Sequence, residues 1–371
     1  MEKDDMNCCT NCFIDPEIKA IIESRKRIGD CSFCGKTNTA VYDIYDDPTL
    51  ADNFKDLLEV YTPVKNLSAT YPKGKVDLLK NLLHNQWRIF NLQPEVIYTL
   101  ITSLCREKYE EMPELFDSPV GIWQNYDLNF LRENTIITNN TWNDFVEAIK
   151  WNNRFHTNYI NEEILDLFIR CVRKTYRAGS TFYRARISSN ERGYSTEEMY
   201  APPKGIATAG RVNPDGISML YLADQAKTTL YEIRAGVYDY VTIGTFILSS
   251  DIEVINLADI DKISPFIAAN SYGIDFIRQA VNIDCLKVIS DEIAKPLRRH
   301  SSLLEYLDYL PTQYISDFIK SKSYAGIEYT STMCPGGINT ALFDERPKFI
   351  KCVSTSVYDI KSLKYDTWPS T

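Results

Sequence analysis

The chain has 371 residues, 44% of them hydrophobic and 25% charged, with a formal net charge of −9. These proportions exclude an intrinsically disordered chain, and the length accommodates two globular units plus a small module. The acidic balance and the lack of a long basic run count against nucleic acid or an anionic membrane as the main partner, and no run of about 20 apolar residues exists to span a bilayer.

The first residues, MEKDDMNCCTNCF, contain no apolar signal core, which predicts a cytoplasmic protein. Ten cysteines are present, and Cys8, Cys9, Cys12, Cys31 and Cys34 crowd into the start of the chain while the others are scattered. In a reducing compartment such a cluster points to metal rather than to disulfides. Cys9-x2-Cys12 and Cys31-x2-Cys34 are spaced as two turns that each offer a pair of thiolates to one tetrahedral ion, with Cys8 as the alternative to Cys9. Four thiolates leave no open coordination position, so the expected zinc is structural and organises a module over residues 1–45.

From about 46 to 175 the pattern is helical. VDLLKNLLHNQWRIF puts Val76, Leu79, Leu82, Leu83 and Trp87 on one stripe, QPEVIYTLITSLC opens with Pro94, TWNDFVEAIKW has Thr141 as a cap, and NEEILDLFIRCVRK carries Ile164, Leu165, Phe168, Ile169 and Val172. Antiparallel helices packed on one another are expected here. Of the three histidines, His84 and His156 are read as packing or surface residues; His300 is the third, and none sits in a catalytic spacing.

After about 176 the texture becomes short β-rich runs broken by Gly and Pro, which predicts an α+β domain over 176–360. In TFYRARI, alternation places Phe182, Arg184 and Arg186 on one face. Two arginines on one strand face require carboxylates, a phosphate-bearing ligand or solvent. The segment GRVNPDGISMLYLADQAKTTLYE adds Arg211 and Asn213 in a glycine-flanked loop, a turn at Asn213 to Gly216, a strand with Tyr221, and a helix capped by Asp224 and ending on Glu232. That carboxylate is either paired with an arginine or poised in a cleft. PTQYISDFIKSK predicts a further helix capped by Thr312 or the residue before it.

No GxSxG, HExxH, P-loop or GxGxxG occurs. Arginines, a tyrosine, a glutamate and a serine, without histidine or metal, suit cleavage of an N-glycosidic bond to a cationic leaving group, where a carboxylate stabilises an oxocarbenium-like transition state. A diphosphate clamped by arginine and a planar cationic ring stacked on tyrosine are the requirements of NAD⁺.

FYRAR, GRVNPDGISMLYLADQAKTTLYE, YLPTQYISDFI, YAGIEYTST and GGINTALF, in that order, resemble the RES domain. The region before it resembles the helical, cysteine-bearing, HEPN-like N-terminal part of larger RES proteins. The resemblance implies an ADP-ribosyltransferase-like fold and an enzyme that degrades NAD⁺ as phosphorylase or glycohydrolase in a toxin-antitoxin system, with an antitoxin or inhibitor protein as partner. It places the family arginine, glutamate and serine on Arg184, Glu232 and Ser331, with Tyr221, Arg211, Asn213 and Asn339 completing the site. Val212 stands where the family loop often has tryptophan. The expected roles are Arg184 and Arg211 on the diphosphate, Tyr221 on the nicotinamide or its ribose, Glu232 on the ribose hydroxyls, and Ser331 on the attacking phosphate or water. The alternatives are transfer of ADP-ribose to a protein or nucleic acid, and a non-enzymatic zinc-containing binding module.

Overall fold

The computed structural model describes residues 6–71, 73–138, 140–295, 305–344 and 346–363, with side chains omitted at 73, 305 and 306. His300 lies outside the described residues. Two compact units emerge, and they are not serial: one comprises 1–140, 158–167 and 262–285, the other 141–157, 168–261 and 286–371. The sequence reading placed its boundaries at residues 45 and 175. Hydrophobic periodicity identifies an amphipathic helix but not the unit it packs into.

In the first unit, strands β1 (Asn7–Cys9), β2 (Ile28–Gly29) and β3 (Thr39–Asp43) form an antiparallel sheet in the order β1-β3-β2. Strands β4 (Thr62–Pro63), β5 (Asp77–Leu78) and β6 (Pro119–Gly121) form a second small sheet, which the helical expectation did not include. The helices around them follow their sequence signals. Helix Pro16–Ser24 starts at a proline, and Asp15 accepts hydrogen bonds from the Glu17 and Ile18 amides; helix Pro94–Leu104 likewise begins at Pro94. The helix expected from Val76 to Trp87 spans only Leu79–Asn85: Leu79, Leu82 and Leu83 are buried on it, Trp87 is buried just past its end, and Val76, ahead of β5, is only partly covered. The core centres on Phe13, Phe54, Phe90 and Phe266, with the Phe54 and Phe266 rings edge-on at 5.4 Å. Each such side chain contributes roughly 1.5–3 kcal/mol through removal from water.

In the second unit, eight strands form one sheet: β7 (Arg173–Tyr176), β8 (Thr181–Ser188), β9 (Leu220–Ala223), β10 (Tyr240–Leu248), β11 (Ile252–Asn256), β12 (Gly326–Thr330), β13 (Ile338–Leu342) and β14 (Ile350–Asp359). Their order is β14-β10-β8-β9-β13-β12-β11-β7, antiparallel throughout except for β11 beside β12. Alternation in β8 sorts its side chains: Phe182 packs with Met199, Leu220, Leu222 and Phe246 on one face, and Ala185 packs with Val241 and Ile243 on the other. Helix Ala226–Glu232 covers that second face through Ala226 and Leu230. Strands β8 and β9 share a single registered pair, Tyr183 with Ala223, so the ladder is thinnest beside Arg184. Across this junction Tyr183, Ala223, Asn339 and Tyr329 lie in one cross-strand row.

Thr141 caps helix Trp142–Glu147 in a reciprocal capping box with Asp144, and the helix continues as a π turn over Ala148–Asn152. No helix among the described residues is long and apolar enough to cross a membrane.

Candidate active site

Glu232 is the last residue of its helix, and the hydrogen bonds to its carboxylate come from the β12–β13 connection. Ser331, directly after β12, donates its hydroxyl to Glu232 Oε1 at 2.5 Å, and Asn339 on β13 donates Nδ2 to the same oxygen at 2.8 Å. Ser331 and Asn339 are 4% and 5% exposed, so both donors are held out of water. The Ser331 oxygen also accepts from the Met333 and Cys334 amides at 3.3 and 3.1 Å, which fixes its rotamer and spends its capacity locally. Glu232 Oε2 has no hydrogen bond among the described residues. The carboxylate is therefore neither paired with an arginine nor loose: one oxygen is clamped and the other is available.

Arg184 presents the opposite situation. Its side chain is half-buried overall, yet Nε and Nη1 are fully buried and have no hydrogen-bond partner. Burial, reinforced by the neighbouring Arg186 cation, pushes the guanidinium down to about 10 from its ordinary 12.5. A buried cation without an acceptor is costly until an anion or other acceptor reaches it. Arg186 differs, since it donates to the Glu198 carbonyl and lies 4.1 Å over the Tyr194 ring.

The loop ahead of β9 is organised by its own side chains. Gly216 adopts φ +78°, the left-handed turn conformation that favours glycine. Asn213 is 2% exposed; its Nδ2 donates to the Thr208 and Ile217 carbonyls, and its Oδ1 accepts the Tyr221 hydroxyl at 2.6 Å. Burial raises the Tyr221 phenol well above its usual range, so it remains a neutral donor. A Cβ at Gly210 would lie 2.6 Å from both Asn213 Oδ1 and the Tyr221 hydroxyl, which explains the glycine through packing within the protein. Arg211 donates Nη1 to the Ile293 carbonyl and stacks 5.2 Å over Tyr329. Val212, at the position where the family loop often has tryptophan, is 1% exposed and fills core space.

Two capping expectations are corrected. Gln225, not Asp224, occupies the N-cap of the Glu232 helix, and the Asp224 carboxylate instead accepts from the Ile338 amide at 3.0 Å and the Thr228 hydroxyl at 3.3 Å. The helix Leu310–Ser321 is preceded by Tyr309, while Thr312 lies inside it and donates to the Arg211 carbonyl at 2.5 Å. The sequence reading also missed Gln313, whose Nε2 donates to the Gly210 and Asn213 carbonyls at 2.8 and 2.9 Å. The sequence shows only a glutamine in a helical run; its burial, 7% exposed, is visible only in the structure.

In the other unit the sulfurs of Cys9, Cys12, Cys31 and Cys34 all lie within 4.8 Å of one another, with contacts of 3.8, 3.4 and 3.4 Å along Cys12-Cys9, Cys9-Cys34 and Cys12-Cys31. Metal–sulfur bonds of about 2.3 Å in a tetrahedron place sulfurs roughly 3.8 Å apart, so this set could hold one metal ion with little adjustment. Cys8, buried on β1, is outside the group. His84 donates Nδ1–H to the Leu92 carbonyl at 2.9 Å and His156 is exposed, in keeping with packing and surface roles.

The family model for the RES domain matches residues 181–366, and the chain belongs to that family. The match spans all the site residues of the second unit described above. Among solved structures, the chain is similar to one in the crystal structure of the M. tuberculosis MbcT-MbcA toxin-antitoxin complex, at 14% identity and a TM-score of 0.29, covering 52% of this chain and 92% of that one. No curated protein matches the chain.

Proposed function

We propose that this protein consumes NAD⁺ by cleaving the bond between nicotinamide and ribose, as a phosphorylase or glycohydrolase. The observation that carries the reading is Glu232, clamped at Oε1 by Ser331 and Asn339 and free at Oε2. A fixed carboxylate with one open oxygen suits an acceptor for ribose hydroxyls and a counter-charge to the cation that develops as the bond breaks. Nicotinamide leaves with the bonding pair, and C1 of the ribose takes an oxygen from phosphate or from water, which gives up its proton.

Arg184, buried without an anion, supplies the matching site for the diphosphate. Arg211 joins it through guanidinium donors other than the Nη1 spent on Ile293. Tyr221 offers its ring to the nicotinamide end, and its hydroxyl keeps Asn213 and the Arg211 loop in place. Ser331 acts through Glu232, because its hydroxyl already donates to that carboxylate.

The four-cysteine group is assigned to structural zinc, in a module over 1–45 that precedes a helical, HEPN-like region and the RES domain. A cytoplasmic toxin restrained by an inhibitor protein completes the reading that the resemblance implies. Incubating the purified protein with NAD⁺, with and without phosphate, tests it. Nicotinamide release with free ADP-ribose or its 1″-phosphate is expected, and mass found on a protein or nucleic acid instead would assign it as a transferase. Glu232→Gln protein consuming NAD⁺ at the parent rate would overturn the mechanism.

A further inference from the structure

Resting on the reading of Glu232 above, the geometry points to Asp224 as a positioning residue that sets Glu232 between Ser331 and Asn339. Asp224 ends the turn out of β9 and is bonded twice to the start of β13: its amide donates to the Ile338 carbonyl at 3.0 Å, and the Ile338 amide returns a hydrogen bond to Asp224 Oδ1 at 3.0 Å. The same Oδ1 accepts the Thr228 hydroxyl at 3.3 Å, and Thr228 is fully buried in the helix that carries Glu232. One carboxylate oxygen thus ties that helix to the β12–β13 connection.

Both donors to Glu232 hang from this connection. Asn339 follows Ile338 directly, and the Ser331 amide donates to the Gly337 carbonyl at 2.9 Å. Gly337 is fitted against the helix as well, since a Cβ there would lie 2.6 Å from the Thr228 hydroxyl. Glu232 stands four residues beyond Thr228, about one helical turn, so fixing Thr228 against Gly337 and Ile338 fixes the height of Glu232 relative to both partners. No hydrogen bond joins Asp224 to the Arg184 Nε or Nη1, so its removal is expected to leave the anion site in place.

The test uses the full chain with Asp224→Ala, Asp224→Asn and Thr228→Val, read by kcat, KM and crystal structures. Asp224→Ala is expected to lower kcat about tenfold with KM little changed, because a displaced catalytic carboxylate loses orientation rather than substrate binding. Asp224→Asn keeps an Oδ1 acceptor for the Ile338 amide and recovers most of the loss. In the Asp224→Ala crystal structure Asn339 Nδ2 and Glu232 Oε1 separate beyond hydrogen-bond distance, an outcome that does not depend on turnover. Should Asp224→Ala not fold, Thr228→Val carries the same expectation in milder form. An unchanged Asn339–Glu232 contact, or a KM effect with kcat intact, would refute the positioning role. A parent protein that leaves NAD⁺ intact would instead remove the proposed function, with the crystallographic result still deciding this point.

Discussion

Asn339 and Glu232 are 107 residues apart in the chain, yet Asn339 Nδ2 reaches the same carboxylate oxygen that accepts the Ser331 hydroxyl. Two donors on one acceptor predict shared effects. Asn339→Ala and Ser331→Ala are each expected to lower kcat by about 1.5–3 kcal/mol equivalents, the range for a hydrogen bond to a charged group. The double substitution should fall short of the sum, since either loss already frees the carboxylate. Single-turnover kinetics on the four proteins provide the cycle, and full additivity would show that the two donors act separately.

Arg184 sets function against stability. Replacing it with Met removes a buried, unpartnered charge and should raise the melting temperature of the ligand-free protein, with a gain on the order of 2 kcal/mol. The same substitution should abolish stabilisation by NAD⁺. Thermal denaturation with and without the dinucleotide measures both.

The lowered Arg184 pKa fixes the sign of a pH effect. The charged form is disfavoured in the folded protein, so the penalty is fully present below pH 10 and is relieved as pH rises from about 10 toward the ordinary 12.5. Anion affinity follows the charge and should weaken through about pH 10. Titration calorimetry of NAD⁺ binding across that range checks it; affinity that holds constant while the protein stays folded would show that the guanidinium keeps its proton there.

Gly210→Ala introduces a methyl 2.6 Å from Asn213 Oδ1 and the Tyr221 hydroxyl. The loop must shift and that hydrogen bond must break, at a loss of about 1–3 kcal/mol in stability. Urea denaturation should register the loss, while Tyr221→Phe, which lacks the hydroxyl, should tolerate the added methyl better.

Removal of the metal expected at Cys9, Cys12, Cys31 and Cys34 should destabilise the first unit. Cys31→Ser leaves three thiolates and lowers affinity for the ion. Metal content by atomic absorption, followed by hydrogen exchange over residues 6–45, tests this directly. A chelated protein with unchanged exchange there would show that the thiols need no ion.

How much could be read beforehand depended on sequence separation. The two CxxC turns announce themselves because each pair is three residues apart, and they converge as expected. The turn after Asn213 was equally legible, because proline and glycine act locally. Asp224 does not cap the helix as expected: it binds a side chain of the first turn, Thr228, but takes its backbone amide from Ile338, 114 residues away. Gln313 escaped for the same reason, with partners about a hundred residues upstream. The alternating units were hidden in helices such as Phe276–Ala294, whose first part belongs to one unit and whose last part belongs to the other. Nothing in its periodicity marks the division.

Because Phe266 closes against Phe54 in the first unit while residues 168–261 belong to the second, the ribosome makes most of the second unit before it can finish the first. The four cysteines, by contrast, emerge within the first 34 residues. They are open to an incoming ion long before their own core can close, and two half-made units must avoid each other's apolar surfaces in the interval. Yield should therefore depend on synthesis rate, and on metal supply if the cysteines take an ion, separately from the stability of the finished protein.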